Sequence, residues 1–297
     1  MKSILHPESY KEDSNMLKKI IIVTVIGLLC ALSALNAGGT KEQTTQAQTV
    51  YTFGGSTTVA PIANAAIAAF TASRSNVKIS YEGLGSSTGL KQLSQGTITL
   101  AGSSRELKDS ELQSLLKPIV IALDGLSVAV NSSVAIANLS REQLAGIFSG
   151  EITNWKEVGG KDASIEVIVR DETSGTYASF KEIVLDPYKK SYKTQSIVAR
   201  ENGELAAKIA STPNAIGYIG MAFNHIVSEA GGHVLTIDGV EPTSQNVIDG
   251  SYPISRSLYI VSKGELSESV ELDFVNFLLS AKGQSIVAEN EFIPVTR

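Results

Sequence analysis

The chain has little of the chemistry that metal centres and disulfide frameworks require. Its 297 residues contain one cysteine, Cys30, and three histidines, His6, His225 and His233. One cysteine cannot form an intramolecular disulfide or a thiolate cluster. The histidines lack the HExxH spacing of zinc enzymes, and we expect His225 and His233 on loops or on a helix surface. The sequence therefore predicts no metal site and no cofactor.

An excess of positive charge is also missing. The formal net charge is -5 and the isoelectric point is near 5.4. A protein that follows a phosphodiester backbone needs a basic stripe, so we expect no nucleic acid partner. Hydrophobic residues make up 43% of the chain and charged residues 19%, which is typical of a folded globular protein. A chain of this length suits two domains.

The amino terminus has the layout of an export signal. Lys18 and Lys19 precede an apolar run at residues 20–35, and small and polar residues follow that run. The first fifteen residues are polar and mixed in charge, which is unusual before such a run. Met16 is therefore an alternative start of the chain.

We interpret residues 1–37 as a signal peptide or membrane anchor and residues 38–49 as a linker. Three outcomes stay open for this segment. The signal is cleaved, or Cys30 is lipidated, or the apolar run stays as an anchor close to the roughly 18 residues that a spanning helix needs. All three place the body of the protein outside the cytoplasm.

Strand-like runs alternate with helix-like stripes after the linker. Alternating β-branched and apolar residues predict strands at residues 50–53, 77–83, 97–102, 165–172 and 258–262. Apolar side chains at helical spacing predict helices within residues 58–70 and 174–185. This alternation predicts an α/β fold.

Four turns rich in glycine, serine and threonine follow predicted strands and precede predicted helices. They are Gly54–Thr58, Gly83–Gly89, Gly102–Arg105 and Thr173–Thr176. A helix amino terminus presents free N–H groups and a partial positive charge, and a hydroxyl group adds a further donor. Ordinary capping explains any single turn. Because turns at the carboxyl ends of strands converge in open α/β sheets, four of them favour a site for a small tetrahedral oxyanion.

Arg170 is the candidate for a charged ligand group. It ends a predicted strand four residues before Ser174, where its fork can meet an oxyanion. A surface ion pair with Asp171 or Glu172 is the alternative. The nucleotide-binding motif GxxxxGK[ST] is absent, so phosphate without a nucleoside is favoured.

A nucleophilic serine hydrolase is the competing class of protein. His225 and His233 lie far along the chain from the serine-rich turns, and no acidic partner motif accompanies them. The serines have a sufficient role as neutral hydrogen-bond donors. We therefore predict no catalytic residue.

Several blocks, read in order, resemble the phosphate-binding proteins of ABC importers. They are GGSTTVAPI, GLGSSTGLKQL, LSREQLAGIFSGEITNWKEVGG, RDETSGTYASF and YPISRSLYIV. The resemblance spans nearly the whole mature chain. It implies a type II periplasmic-binding-protein fold, with two α/β lobes joined by two crossover strands and the ligand in the cleft. Lobe one would comprise residues 50–126 and 253–297, and lobe two residues 127–252.

The resemblance also implies which residues bind phosphate. Both lobes would contribute, with Ser56 as a cap beside the first loop and Glu172 steadying the arginine. The implied phosphate-binding residues are Thr57, Thr58, Ser86, Ser104, Arg170, Ser174, Gly175 and Thr176.

Ser104 departs from the pattern of the best-known members of this family. In those proteins an aspartate at this position accepts a proton from phosphate and helps to reject sulfate. Here Arg105 would approach the anion or pair with an acid across the cleft. Asp124 is either the replacement acceptor or an ordinary turn aspartate.

The resemblance implies a function as well as a fold. The protein would be an exported solute-binding protein, not an enzyme, that captures inorganic phosphate and delivers it to an ABC permease in the inner membrane. We expect a monomer in the periplasm or another extracytoplasmic location. The alternatives are a receptor for another oxyanion, such as sulfate or molybdate, and a phosphate-sensing or adhesive exported protein that is not coupled to transport.

Overall fold

The computed structural model describes residues 48–295. The predicted signal with Met16 and Cys30, and the linker up to residue 47, lie outside the described residues. The first strand begins at Thr49, which the sequence interpretation assigned to the linker. Within residues 48–295 no helix is long and apolar enough to cross a membrane.

The described chain alternates between strands and helices. The strands are β1 Thr49–Gly55, β2 Val77–Gly83, β3 Leu100–Ser103, β4 Leu116–Val130, β5 Asn138–Leu139, β6 Glu166–Arg170, β7 Ile197–Ala199, β8 Ala215–Gly220, β9 His233–Val234, β10 Thr236–Ile237, β11 Ser255–Lys263 and β12 Ile293–Pro294. The α-helices are α1 Ala60–Thr71, α2 Ser86–Gln95, α3 Asp109–Gln113, α4 Arg141–Ser149, α5 Gly175–Phe180, α6 Asn202–Ser211, α7 Asn224–Glu229, α8 Ser244–Ile248, α9 Val270–Leu279 and α10 Ala281–Glu289.

The predicted elements coincide with observed ones. Each of the five predicted strand runs overlaps a strand, namely β1, β2, β3, β6 and β11. Helix α1 buries the predicted stripe of Ile62, Ala66 and Phe70, and Pro61 is tolerated in its first turn. Helix α5 is shorter than predicted, because the chain continues from it as a π-helical turn over Lys181–Leu185. His233 was expected on a loop or a helix surface, but it lies in strand β9.

Ten strands of the described residues form one mixed sheet. Its order is β2-β1-β3-β11-β4-β8-β6-β7, and β9 and β12 pair with β4. The pairs at both ends of this order are parallel, as the alternation of strands and helices predicts. The pairs that involve β11 and β4 at the centre are antiparallel.

Strand β4 runs through both halves of the sheet. Its first part, up to Gly125, pairs with β11, and its second part, from Leu126, pairs with β8. We call the half that carries β1 to β3 lobe one and the half that carries β6 to β8 lobe two. Strand β4 therefore crosses between two α/β lobes, and β11 begins beside the crossing point, where Leu126 N–H donates to Ile254 O at 2.8 Å.

Each lobe has its own aromatic core. In lobe one the ring of Phe274 lies 5.3 Å from that of Phe53 and 5.5 Å from that of Phe70. In lobe two the rings of Phe180 and Tyr218 stack with centroids 3.9 Å apart. The buried apolar residues likewise divide into two large clusters that lie mainly in one lobe each, as expected for lobes with their own cores. The exact lobe boundaries stay a prediction.

Replacing Phe274 with alanine is expected to lower the free energy of unfolding by about 3 to 5 kcal/mol, because the ring is fully buried against two other rings. Chemical denaturation followed by circular dichroism measures this loss. Phe274→Leu keeps most of the volume and should cost less than about 1.5 kcal/mol. Equal costs for the two variants would contradict the packing argument.

Candidate anion site

The residues implied by the resemblance come together between the two lobes. The hydroxyl oxygens of Thr58 and Thr176 lie 3.2 Å apart, although the residues belong to different lobes. The hydroxyl oxygens of Ser86 and Ser104 lie 3.3 Å apart. All four side chains are buried. The loops therefore form one enclosed group of hydroxyls.

The loop after β1 is shaped by a serine cap and a glycine. Ser56 Oγ accepts hydrogen bonds from the backbone N–H groups of Thr58 and Val59 at 3.1 and 3.3 Å, so it caps the turn before α1, while the helix itself begins at Ala60 without a side-chain cap. Gly55 has φ 125°, and a Cβ atom there would lie 2.4 Å from the backbone oxygen of Gly102. The turn therefore requires glycine. It holds Thr57 and Thr58 just before α1.

The third turn differs from the prediction. Ser104 N–H donates to Ser86 Oγ at 3.1 Å, which ties this turn to the start of α2. The turn was expected to open a helix directly, but α3 begins only at Asp109. The reason is local, because Ser103 Oγ donates forward to Arg105 O at 2.8 Å and this hydrogen bond competes with helix formation.

The fourth turn contains a serine cap, Ser174, followed by a glycine, Gly175, that lies against the other lobe. Ser174 Oγ accepts from the N–H groups of Thr176 and Tyr177, so it caps α5. A Cβ atom on Gly175 would lie 2.3 Å from Ser86 Oγ and 2.5 Å from Ser104 Oγ. A methyl group at Gly175 would force the hydroxyls of Ser86 and Ser104 to move while the two lobes are in this arrangement.

Arg170 is buried, with 1% of its surface exposed. Its Nη2 donates to Thr57 Oγ1 at 2.9 Å and to the backbone oxygen of Arg200, and its Nε donates to the oxygen of Ala199. The alternative of a surface ion pair is therefore wrong. Burial lowers the pKa of Arg170 to about 10, so the side chain stays charged at neutral pH.

The residue that steadies Arg170 is Asn202 and not Glu172. Arg170 Nη1 donates to Asn202 Oδ1 at 3.0 Å, and Asn202 Nδ2 lies 3.4 Å from Thr58 Oγ1. Glu172 is exposed and makes no hydrogen bond to the guanidinium. Its place in the turn directs it outward, while the start of α6 faces the cleft. No local pattern marks Asn202, which lies 32 residues after Arg170.

Arg256 is a second buried arginine that the sequence reasoning missed. Its Nη2 lies 2.7 Å from Asp124 Oδ2, and its Nη1 donates to Thr176 Oγ1 at 2.9 Å. Strand alternation could have located it, because Arg256 lies between the buried residues Ile254 and Leu258 and must point to the same face.

Asp124 is not a turn residue, as one interpretation held. It lies within β4, directly opposite Arg256 of β11. Its Oδ2 accepts from Arg256 and its Oδ1 accepts from the backbone N–H of Met221 at 3.2 Å. Burial raises the pKa of the Asp124 carboxyl above its ordinary value, although Arg256 acts in the opposite direction. The carboxylate is thus occupied by protein donors.

Arg105 does not pair with an acid across the cleft. Its Nη1 and Nη2 lie 2.8 and 2.7 Å from the two carboxylate oxygens of Glu111, which is in α3 of the same lobe. A bidentate pair of this kind fixes the guanidinium and turns it away from the other lobe. Ser104 remains the group of this turn that faces the cleft.

The serine-rich turns contain no serine and histidine pair within residues 48–295. Residues 85–89 match GxSxG, a motif that carries the nucleophile of serine hydrolases, with Ser87 at the centre. Ser87 Oγ accepts from Arg105 Nη2 at 3.3 Å, however. His225 lies 3.2 Å from Glu291, and His233 lies 3.2 Å from the oxygen of Ile136. The described residues also contain no group of three metal-ligating side chains.

Comparisons with known proteins identify the family. A sequence profile of the PBP superfamily domain matches residues 40–282. The chain is 34% identical over 284 residues to the phosphate-binding protein PstS of Borreliella burgdorferi, which covers 94% of this chain and 99% of the relative. It is 32% identical over 290 residues to PstS of Bacillus subtilis, with 94% of each chain covered. This chain belongs to the PstS family of phosphate-binding proteins.

Solved structures agree with this assignment. A Clostridium perfringens protein described as a phosphate ABC transporter substrate-binding protein, with bound phosphate, has a TM-score of 0.76 and 35% identity over 84% of this chain and 100% of its own. An ABC-type phosphate transport receptor from Vibrio cholerae has a TM-score of 0.71 and 29% identity over 82% of this chain and 100% of its own. The predicted PstS-like family and type II periplasmic-binding fold are both confirmed. PstS relatives are solute-binding proteins, which is a non-enzymatic class.

Gly175→Ala is expected to weaken phosphate binding about tenfold or more, because the added methyl group collides with Ser86 and Ser104 when the lobes meet. Isothermal titration calorimetry measures the effect. Gly203→Ala is the matched control, since a Cβ atom there has nothing within 4 Å. A wild-type affinity for Gly175→Ala would show that the lobes need not approach this closely.

Proposed function

We propose that this protein is an exported solute-binding protein that captures inorganic phosphate between its two lobes and delivers it to an ABC permease. One observation carries the proposal. Hydroxyls from opposite lobes, those of Thr58 and Thr176, meet at 3.2 Å beside the buried Arg170. Such a group of donors contributed by both sides of a cleft suits a small oxyanion that bridges the lobes.

The charge of the site favours an anion. Arg256 pairs with the buried carboxylate of Asp124, whereas the buried guanidinium of Arg170 donates only to neutral acceptors. A buried unpaired charge is costly unless a partner compensates it. An anion in the cleft would compensate it, and the hydroxyl groups would satisfy the remaining lone pairs.

Side-chain nitrogens that can only donate hydrogen bonds lie beside the threonine hydroxyl oxygens. Arg170 Nη2 donates to Thr57 Oγ1, and Asn202 Nδ2 and Arg256 Nη2 lie 3.4 and 3.5 Å from Thr58 Oγ1. A hydroxyl oxygen that accepts from nitrogen keeps its own proton for another acceptor. We therefore assign Thr57, Thr58 and Thr176, with Ser86, Ser104, Ser174, Gly175 and Arg170, as the phosphate site.

Ligand exchange requires the lobes to separate. Thr58, Ser86, Arg170 and Thr176 are all nearly inaccessible in the described arrangement. Phosphate would therefore bind an open form and stabilise the closed form through contacts that exist only there. We propose residues 50–126 with 253–297 and residues 127–252 as the two bodies that move.

Capture and delivery need no chemistry, so we propose no catalytic residue. The Clostridium and Vibrio relatives are described as proteins of ABC-type phosphate transport, which supports a permease as the partner. A monomer in an extracytoplasmic compartment, without nucleic acid, fits the acidic chain and its signal-like amino terminus. Acylation of Cys30 would tether it to the membrane.

A receptor for another oxyanion is the second candidate. It is favoured by Ser104, because no carboxylate takes the place that accepts the phosphate proton in the best-known members. Asp124 accepts from Arg256 and from the N–H of Met221, and these protein donors compete with the phosphate proton for its oxygens. A hydroxyl accepts a proton less well than a carboxylate does. Sulfate, which carries no proton, is then the competing ligand.

Calorimetry of the mature domain with phosphate, sulfate, molybdate and arsenate tests the two candidates. We expect phosphate and its analogue arsenate to bind in the low-micromolar range or tighter, which corresponds to about 8 kcal/mol. Sulfate is expected to bind more weakly. Tight binding of sulfate without phosphate would replace the first proposal by the second, and binding of none would remove both.

Arg170→Ala is expected to cost about 2 to 4 kcal/mol of phosphate binding free energy, because it removes charge-assisted hydrogen bonds from a buried site. Arg141→Ala is the control, since Arg141 is half-exposed and pairs with Asp238 on the surface. That control should leave the affinity unchanged. An unchanged affinity in Arg170→Ala would remove Arg170 from the site.

A further inference from the structure

A buried ion pair lies in the two strands that join the lobes. Asp124 of β4 and Arg256 of β11 stand opposite each other in antiparallel register. Their side chains are 1% and 4% exposed. Desolvation of two charges offsets most of their mutual attraction, so such a pair is weak evidence for a purely stabilising role. The remaining contacts of Arg256 indicate what else it does.

The hydrogen bonds to Asp124 occupy only Nε and Nη2 of the Arg256 guanidinium. Arg256 Nη1 donates to Thr176 Oγ1 at 2.9 Å and to the backbone oxygen of Ser104 at 3.1 Å. Its Nη2 lies 3.5 Å from Thr58 Oγ1. Thr58 and Ser104 belong to lobe one and Thr176 to lobe two. One guanidinium group, carried by a crossover strand, therefore contacts both lobes at once.

These contacts set the direction of the hydroxyl protons. A guanidinium has donors and no acceptor, so Thr176 Oγ1 must accept from Arg256. The proton of Thr176 then points to Thr58 Oγ1 or to an anion beside it. Arg256 can donate to both hydroxyl oxygens only while Thr58 and Thr176 lie close together. This proximity requires the lobes to be closed.

We propose that Arg256 is a positioning residue, anchored by Asp124, that orients the hydroxyls of Thr58 and Thr176 toward the bound anion when the cleft closes. The inference rests on the proposed phosphate-binding function and adds a residue outside the four serine-rich turns. It predicts that Arg256 slows the release of the anion, because its contacts to lobe two are lost when the cleft opens.

Arg256→Lys separates this role from a structural one. Lysine keeps the positive charge beside Asp124 but has no planar fork with which to reach Thr176, Ser104 and Asp124 together. A merely structural ion pair is retained by this change, whereas the orientation of the hydroxyls is lost.

The experiment compares wild type, Arg256→Lys and the surface control Arg141→Lys by calorimetry, stopped-flow dissociation and thermal unfolding without ligand. We expect Arg256→Lys to weaken phosphate binding by about 10- to 100-fold, mostly through faster dissociation. The unfolding temperature of the unliganded protein should change by only about 4 °C or less. Arg141→Lys should match wild type in all three measurements.

A double-mutant cycle with Thr176→Val tests whether Arg256 acts through the hydroxyl. If it does, Arg256→Lys should weaken phosphate binding by only about threefold or less when Thr176 is already valine. The same loss in both backgrounds would overturn the inference. So would a wild-type affinity and dissociation rate for Arg256→Lys.

Asp124→Asn provides a second variant if Arg256→Lys folds poorly. It keeps an acceptor beside Arg256, and we expect dissociation to be only a few times faster than in wild type. A larger increase in the phosphate dissociation rate than in Arg256→Lys would show that Asp124 itself, and not Arg256, controls release. That result would overturn the assignment. Failure of the wild-type protein to bind phosphate would instead overturn the proposed function. The wild-type measurement therefore distinguishes failure of the proposed function from failure of the inference about Arg256.

Discussion

A buried guanidinium needs an acceptor for each of its N–H groups, and Arg170 imposes that requirement on the centre of the molecule. The backbone oxygens of Ala199 and Arg200, together with Asn202, accept from one side of it. Thr57 accepts from the other side. Strand β7, helix α6 and the loop after β1 must therefore meet around one charge. The position of the cleft follows from this meeting.

The crossover strands carry the second constraint. The pair of Asp124 and Arg256 lies where β4 passes from β11 to β8, at the point where the chain changes lobes. A hinge placed there can respond to the site because the same side chain touches Thr176 of the other lobe. Close packing would make the proposed closure of the cleft a discrete step between two states.

The serine-rich turns illustrate how far local patterns reach. A strand that ends in glycine and hydroxyl residues before a helix could be recognised from the sequence, and the structure brings these turns together. The patterns could not reveal which side chains support them. Asn202 and Arg256 come from segments far along the chain, and Glu172 was chosen only because it is near Arg170 in sequence. Support for a buried charge depends on distance in space, which a linear pattern does not report.

The sequence by itself determined the α/β alternation and the family, because strand and helix periodicity and turn composition are local properties. Only the tertiary structure decided how the charges are shared. Arg105 pairs with Glu111 in its own lobe, while Arg256 reaches both lobes from a crossover strand. Both are arginines near serines in the sequence. Burial and the antiparallel register of β4 and β11 separate their roles, since partners for a desolvated charge are set by the fold.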